Sequence, residues 1–137
     1  MEQQNEVLVI DVSINEINGV KGNHSEAVMI MFGGQCDSKL FKGVICSGGV
    51  DTQKQAYGKN RELSARYLLV GKDYEGQECK LFIENNGTFD EKGNIITKPI
   101  IITDSKALSF LETANLYGTI EGVEGGVRIH IFTEDFK

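Results

Sequence analysis

Hydrophobic and polar residues alternate along much of the chain, a pattern that predicts β-strands. In the first such stretch, residues 7–14, the even positions are apolar, while Asp11 and Ser13 lie on the opposite face. This period of two is typical of a strand with one buried face. The next stretch, Glu26–Phe32, is apolar on both faces, which predicts a strand that is buried on both sides.

Further extended segments follow at short intervals, separated by turns rich in glycine and asparagine. Gly48-Gly49 interrupts one of them and predicts a bulge or a barrel corner. Pro99 argues against a central position for its segment, because proline cannot donate a hydrogen bond to a neighbouring strand. The one helical candidate is Asp104–Leu116, which has an apolar face and a polar residue in position to cap it. The remaining predicted strands are 40–47, 50–56, 61–70, 78–84, 95–103, 117–122 and 127–133.

The order of these elements predicts a single all-β domain over residues 1–137. Eight or nine strands follow one another without a β-α-β rhythm, and such chains close into barrels or stack as sandwiches. Long strands and short turns favour one closed or nearly closed antiparallel β-barrel with at most one short helix. A barrel of eight strands has room for its own side chains or for one small ligand.

Charge and composition exclude several classes of partner. The chain has 14 Lys plus Arg against 20 Asp plus Glu, a net charge of −6. That balance disfavours nucleic acid and anionic membrane surfaces. The chain contains no apolar run near the roughly 20 residues of a membrane span. The polar, acidic start is unlike a signal peptide, and an odd number of cysteines, three, suits a reducing compartment. We therefore expect a cytoplasmic protein.

Metal and cofactor motifs are absent from the sequence. His24 and His130 are isolated, and the three cysteines form no C-x-x-C pair. The Gly-Gly pairs lack the strand–glycine–helix context of a phosphate-binding loop, and Asp90–Asn94 has too few ligands for an EF-hand. We expect no metal and no cofactor.

Polar side chains inside two neighbouring strands are the candidate chemistry. Asp51, Gln53 and Gln55 share one face of their strand, and Ser64 and Arg66 share one face of the next. If the two polar faces coincide, Arg66 meets Asp51 or Gln53 and the group forms one wall of a pocket. Two alternatives remain open: a solvated face of an open sheet, or a purely structural ion pair.

The chain resembles uncharacterised protein family 0311 (domain of unknown function 3237) in three short segments. They are Gly48-Gly49-Val50-Asp51-Thr52-Gln53, Ala65-Arg66-Tyr67 and Asn85-Asn86-Gly87. The resemblance implies a small closed antiparallel β-barrel without an agreed activity. It places the family's acid on Asp51, its glutamine on Gln53, its arginine on Arg66 and its tyrosine on Tyr67. The family's tryptophan is Thr52 here, so we expect no aromatic stacking at that position.

The sequence leaves open three functions from different classes. The first is a barrel that binds a small polar or anionic organic molecule. The second is a cofactor-free isomerase, cyclase or lyase in the same pocket, in which Asp51 would transfer a proton. The third is a structural or interaction module with a filled barrel and edges that pair into a homodimer. The candidate ligand-binding residues are Asp51, Gln53, Arg66, Tyr67, Asn86 and Asn115.

Overall fold

Nine antiparallel strands make up most of the computed structural model, which describes residues 5–135. A 3-10 helix, Ser109–Glu112, lies between the seventh and eighth strands. The strands are β1 (Glu6–Lys21), β2 (Ser25–Asp37), β3 (Phe41–Ile45), β4 (Gly49–Ala56), β5 (Glu62–Asp73), β6 (Glu78–Thr88), β7 (Thr97–Thr103), β8 (Leu116–Val123) and β9 (Gly126–Thr133). The predicted all-β class is confirmed.

The strands form a ring that is nearly a closed barrel. Apart from β3 and β4, strands that are neighbours in sequence pair antiparallel, and β1 pairs with both β2 and β9, which closes the ring. The strands β3 and β4 lie end to end between β2 and β5, so that they fill one position of an eight-position ring. The break between them contains Gly48, whose φ of 109° is a left-handed conformation that favours glycine. The predicted interruption at Gly48-Gly49 is thereby confirmed.

The ring is weakest between β7 and β8. These strands pair at one position only, Thr97 with Gly118, whereas β7 pairs with β6 along its whole length. A Cβ atom at Gly118 would lie 2.5 Å from Thr97 Oγ1, so the close approach of the two strands requires glycine there. Pro99 thus sits in a strand with one poorly paired side, as its missing N–H predicts.

One end of the barrel, here called the lower end, is filled and covered. Leu8, Leu69 and Ile131 are among its fully buried side chains. The connection from β7 to β8, residues 104–115, crosses this end and inserts Leu108 and Leu111 into the core. Burial of these apolar side chains closes the lower end to solvent.

The predicted helix over Asp104–Leu116 is wrong, because only the 3-10 helix forms there. Ser105 Oγ donates to Asp73 Oδ2 (2.7 Å) and accepts from the backbone N–H of Leu108 (3.1 Å). The backbone N–H of Thr103 donates to a Glu112 carboxylate oxygen at 2.9 Å. These side-chain bonds hold the connection in a bent path, and a stretch this short has little helical stability of its own.

Burial of β2 on both faces is also contradicted. Its side chains alternate between the interior and the outer wall, and Met29 on the outer wall is 47% exposed. An apolar residue on the outside of a barrel strand is common, since much of any protein surface is apolar. Across residues 5–135, no helix has the length and apolar character needed to cross a membrane.

Candidate functional site

The upper half of the barrel, opposite the lower end, encloses a cavity of about 250 Å³. One side of the cavity is apolar and is built from β1, β2, β8 and β9. Its residues are Val12, Ile14, Ile30, Phe32, Ile120, Val127 and Ile129. The other side is built from β4, β5 and β6, and it combines Leu63 and Ala65 with Asp51, Gln53 and Asn85. Phe89, just beyond β6, also contacts the cavity.

Strand register places the polar residues of this wall beside one another. Asp51 in β4 pairs with Ala65 in β5, and Ala65 pairs with Asn85 in β6. Residues directly opposite one another on paired strands point to the same side of the sheet, so all three face inwards. The small side chain of Ala65 leaves open space between the Asp51 carboxyl group and the Asn85 amide.

Asp51 lines the cavity and has one carboxylate oxygen without a hydrogen-bond partner in the described part of the chain. Its Oδ2 atom accepts a hydrogen bond from Gln53 Nε2 at 2.9 Å. Its Oδ1 atom is buried and has no partner among the described residues. Burial raises the pKa of Asp51, because a charged carboxylate loses solvation; the Gln53 bond and the positive charge of Arg61 only partly oppose this effect.

Three further buried oxygen atoms lack a hydrogen-bond partner within residues 5–135: Asn85 Oδ1, Thr97 Oγ1 and Tyr67 OH. Asn85 is 1% exposed and lines the cavity. Most buried polar groups in native proteins are hydrogen-bonded, so the two exceptions that line one cavity, Asp51 and Asn85, point to a site where a further molecule supplies the missing bonds. Asn85 was not among the predicted site residues.

Arg61 is the positively charged residue that contacts this wall, through Gln53, and the sequence analysis did not predict it. Its Nε donates to Gln53 Oε1 at 2.8 Å, and one terminal nitrogen donates to Glu26 (2.8 Å) and to Gln55 (3.0 Å). Residue parity was the signal available in the sequence. Leu63, Ala65, Tyr67 and Leu69 of β5 occupy odd positions and are buried, so residue 61 shares their face and residue 66 does not.

Arg66 lies on the outer wall, so the prediction that it meets Asp51 or Gln53 is wrong. It pairs with Val50 rather than with Asp51, and its Nε atom lies 3.6 Å from a carboxylate oxygen of Glu84. Its side chain is 54% exposed. The polar faces of β4 and β5 point to opposite sides of the sheet, because the register of the hairpin differs by one residue from the expected one.

Asn86 and Asn115 also lie away from the cavity, which contradicts their prediction as pocket residues. Asn86 faces the outer wall, where its Oδ1 atom accepts a hydrogen bond from Ser64 Oγ at 2.6 Å. Asn115 precedes β8, and its Nδ2 atom donates to Glu134 at 2.7 Å. It therefore ties the start of β8 to the end of β9 and does not face the hollow.

Tyr67 points inwards as predicted, but it lies in the core and not among the residues that line the cavity. Its ring packs edge-on against Phe32, with 5.4 Å between the ring centroids. Burial raises the pKa of its hydroxyl group strongly, so the group stays protonated. Asp51 and Gln53 are thus the two predicted site residues that line the cavity.

The electrostatics of the site are acidic. Asp51 is the one ionisable residue that lines the cavity in the described part of the chain. Arg61 is paired with Glu26, so it does not leave a free positive charge at the wall. No three His, Cys, Asp or Glu side chains of residues 5–135 come together as metal ligands would.

Comparison with known proteins identifies the fold. No protein-family model and no curated protein matches the chain. A protein of unknown function from Clostridium acetobutylicum ATCC 824 is 21% identical with a TM-score of 0.79, over 93% of this chain and 96% of that chain. A β-barrel-like protein from Acinetobacter baumannii AYE is 18% identical with a TM-score of 0.73, over 94% of this chain and 93% of that chain. An enzyme from Penicillium herquei is 10% identical with a TM-score of 0.72, over 93% and 90%.

These similarities establish a shared barrel-like architecture over nearly the whole chain. At such low identity they show the fold alone. The resemblance to uncharacterised protein family 0311 stays a prediction.

Proposed function

We propose that this protein binds a small, largely apolar organic molecule in the upper hollow of its barrel. The observation that carries the proposal is the cavity of about 250 Å³ that combines an apolar wall with unpartnered oxygen atoms of Asp51 and Asn85. Ligand sites of this kind are mostly apolar and carry a few precisely placed polar groups that orient the ligand.

The sequence predicted a polar or anionic ligand. We keep a polar group in the proposed ligand, but the structure gives no support for an anionic one. An anion needs a free cation, yet Arg66 lies on the outer wall and Arg61 is paired with Glu26. An anionic group beside Asp51 would also meet a like charge in a poorly solvated site. The polar group of the ligand is therefore neutral or positively charged.

A thermal-shift screen against a library of small metabolites tests this proposal, because a molecule that binds only the folded state raises the melting temperature. Each hit is then tested on Ala65→Phe, which fills the space between Asp51 and Asn85, and on the milder Ala65→Leu. The matched control is Arg66→Gln, one residue away on the outer wall. We expect hits whose stabilisation disappears in the Ala65 variants and persists in Arg66→Gln.

A contrary result in the Ala65 variants would refute the proposal. Hits that stabilise Ala65→Phe as strongly as the unmodified protein bind elsewhere, and they would refute a ligand site in the upper hollow. The unliganded melting curve of each variant shows whether it folds. Ala65→Leu provides the comparison if the phenylalanine overpacks the barrel.

Cofactor-free acid–base catalysis is the second candidate function. It is favoured by the raised pKa of Asp51 beside an open hollow, since a carboxyl group shifted towards neutral pH serves better as a proton carrier. The neighbour from Penicillium herquei is described as an enzyme, so this architecture is compatible with catalysis. Asp51→Asn distinguishes the two functions: an enzyme loses turnover of a bound molecule while its affinity for that molecule persists.

The third candidate, a structural module with a filled barrel, fits the lower half of the molecule and not the upper half.

A homodimer, a cytoplasmic location and membership of family 0311 stay predictions. The outer wall of β3, β5 and β7 carries exposed apolar side chains that suit a homodimer contact, namely Val44, Val70, Ile100 and Ile102.

A further inference from the structure

Two residues that line the hollow carry unpartnered oxygen atoms, and these atoms set the chemistry of its occupant. They are Asp51 Oδ1 and Asn85 Oδ1, neither of which has a hydrogen-bond donor within residues 5–135. Both polar ends of the Gln53 amide are already engaged, because one N–H of its Nε2 group donates to Asp51 and its Oε1 accepts from Arg61. A buried acceptor without a donor is costly, so an occupant that donates to both oxygens is favoured.

Local charge selects among such donors. Asp51 is the one ionisable residue lining the cavity in the described chain, and nearby Arg61 donates three of its N–H groups to Glu26, Gln53 and Gln55. The wall as a whole carries one more negative than positive charge. A positively charged donor gains a charge-assisted hydrogen bond here that a neutral donor does not.

The geometry of the wall matches a compact head group. Asp51 and Asn85 flank Ala65 on neighbouring strands, and side chains that point into a closed barrel converge. Two strand spacings of about 4.8 Å separate the backbones of Asp51 and Asn85, and the convergence of their side chains narrows the space above Ala65. An ammonium group suits this space, since it carries three N–H donors and no acceptor.

We propose that the occupant is a small lipophilic primary amine whose ammonium group lies above Ala65 and donates to Asp51 Oδ1 and Asn85 Oδ1. Its hydrocarbon part then packs against the apolar wall, of which Phe32 and Ile129 are members. This inference rests on the proposed function, namely that the upper hollow binds a small molecule.

Four probes of one ring size test the inference: benzylamine, benzyl alcohol, toluene and benzoate, titrated at neutral pH by isothermal calorimetry or NMR. We expect benzylamine to bind tightest and benzoate weakest. Asp51→Asn should weaken benzylamine about 10-fold or more and change benzyl alcohol much less, as the loss of one charge-assisted hydrogen bond implies. Arg66→Gln on the outer wall should leave the order of the four probes unchanged.

A second measurement needs no variant. Benzylamine stays charged in mild acid, so its affinity for the unmodified protein should fall as the pH decreases and Asp51 becomes protonated, while that of benzyl alcohol should not. Probes that bind without a preference for benzylamine, or with a preference that Asp51→Asn leaves intact, overturn the amine inference and leave the hollow as a binding site. Failure of all four probes to bind overturns both the inference and the proposed function.

Discussion

Asp51 and Asn85 point into one hollow from β4 and β6, and Ala65 alone separates them in the sheet. Each presents an oxygen atom that lacks a hydrogen-bond partner within the described chain. A protein selected only for stability would place apolar side chains at these positions or pair the polar groups, as it pairs Ser105 with Asp73 at the lower end. Local sequence choices that reduce stability concentrate at functional sites, which is why we assign function to this pair.

The first prediction concerns the stability cost of Asp51. Because burial raises the pKa of Asp51, the native state binds a proton more tightly than the unfolded state does. The contribution of Asp51 to stability is thus most favourable below the unfolded pKa, about 3.9, and declines as the pH rises through the raised native value. Asn keeps an oxygen to accept from Gln53 and carries no charge. Asp51→Asn should therefore unfold at higher urea concentration than the unmodified protein at neutral pH.

Urea unfolding of both proteins at several pH values between about 4 and about 7 checks this prediction. The stability advantage of Asp51→Asn should shrink towards the acidic end. A variant that is less stable than the unmodified protein at neutral pH would show that the Asp51 charge is well solvated or paired, contrary to our description of the hollow.

The second prediction concerns the contact that holds the lower cover in place. Ser105 is buried, and its hydroxyl group bonds both Asp73 and the backbone N–H of Leu108. Ser105→Ala leaves these partners unsatisfied and should cost about 1–3 kcal/mol of unfolding free energy. Ser109→Ala is the matched control, because the Ser109 hydroxyl group is exposed and bonds only the nearby Lys106 carbonyl oxygen. Equal urea midpoints for the two variants would contradict this role of Ser105.

The third prediction concerns the outer wall where β1, β9 and β8 meet. The two ring nitrogens of His130 contact carboxylates of Glu6 and Glu121. Partial burial alone would lower the pKa of His130, but the hydrogen bonds to Glu121 and Glu6 outweigh it and raise the value. A raised histidine pKa contributes stability that is full below the unfolded value of about 6.5 and is lost as the pH rises through the native value.

NMR titration of the histidine ring protons measures this effect directly. The pKa of His130 should lie above 6.5, and His130→Gln should lose the fall in stability that the unmodified protein shows from mildly acidic to basic pH. His24→Gln, in the exposed turn between β1 and β2, is the control and should keep that fall. A His130 pKa below 6.5 would mean that burial dominates over the two carboxylates.

Most of the fold could be predicted from the sequence because strand periodicity and glycine-rich turns are local signals. The alternation in residues 7–14, the break at Gly48-Gly49 and the poorly paired position of Pro99 all reappear in the barrel. The helix prediction for Asp104–Leu116 failed although the apolar spacing of the segment fits a helix. The path of the segment is set by Asp73, distant in sequence, which accepts a hydrogen bond from Ser105. Contacts across such a sequence distance leave no periodic signature.

Two of the six predicted ligand-binding residues line the cavity, and strand register explains why the sequence did not place Arg66 correctly. Asp51 and Gln53 are two residues apart in β4, so they share one face of the strand however the neighbouring strands align. Both line the cavity. Whether Arg66 shares that face depends on how β5 aligns with β4, and a slip of one residue reverses the answer. Attention to the apolar odd positions of β5 would have placed Arg61 on the inner side and Arg66 outside. The prediction chose Asn86, which faces outwards, and not its neighbour Asn85, which lines the cavity.

The central claim is that the upper hollow takes a small molecule, and NMR chemical-shift mapping with benzyl alcohol tests it most directly. We predict perturbations that concentrate on amide and methyl groups of Leu63, Ala65 and Ile129, which line the hollow, with little change at Arg66 or Ile102 on the outer wall. Perturbations confined to the outer wall, or no saturable change anywhere, would contradict it.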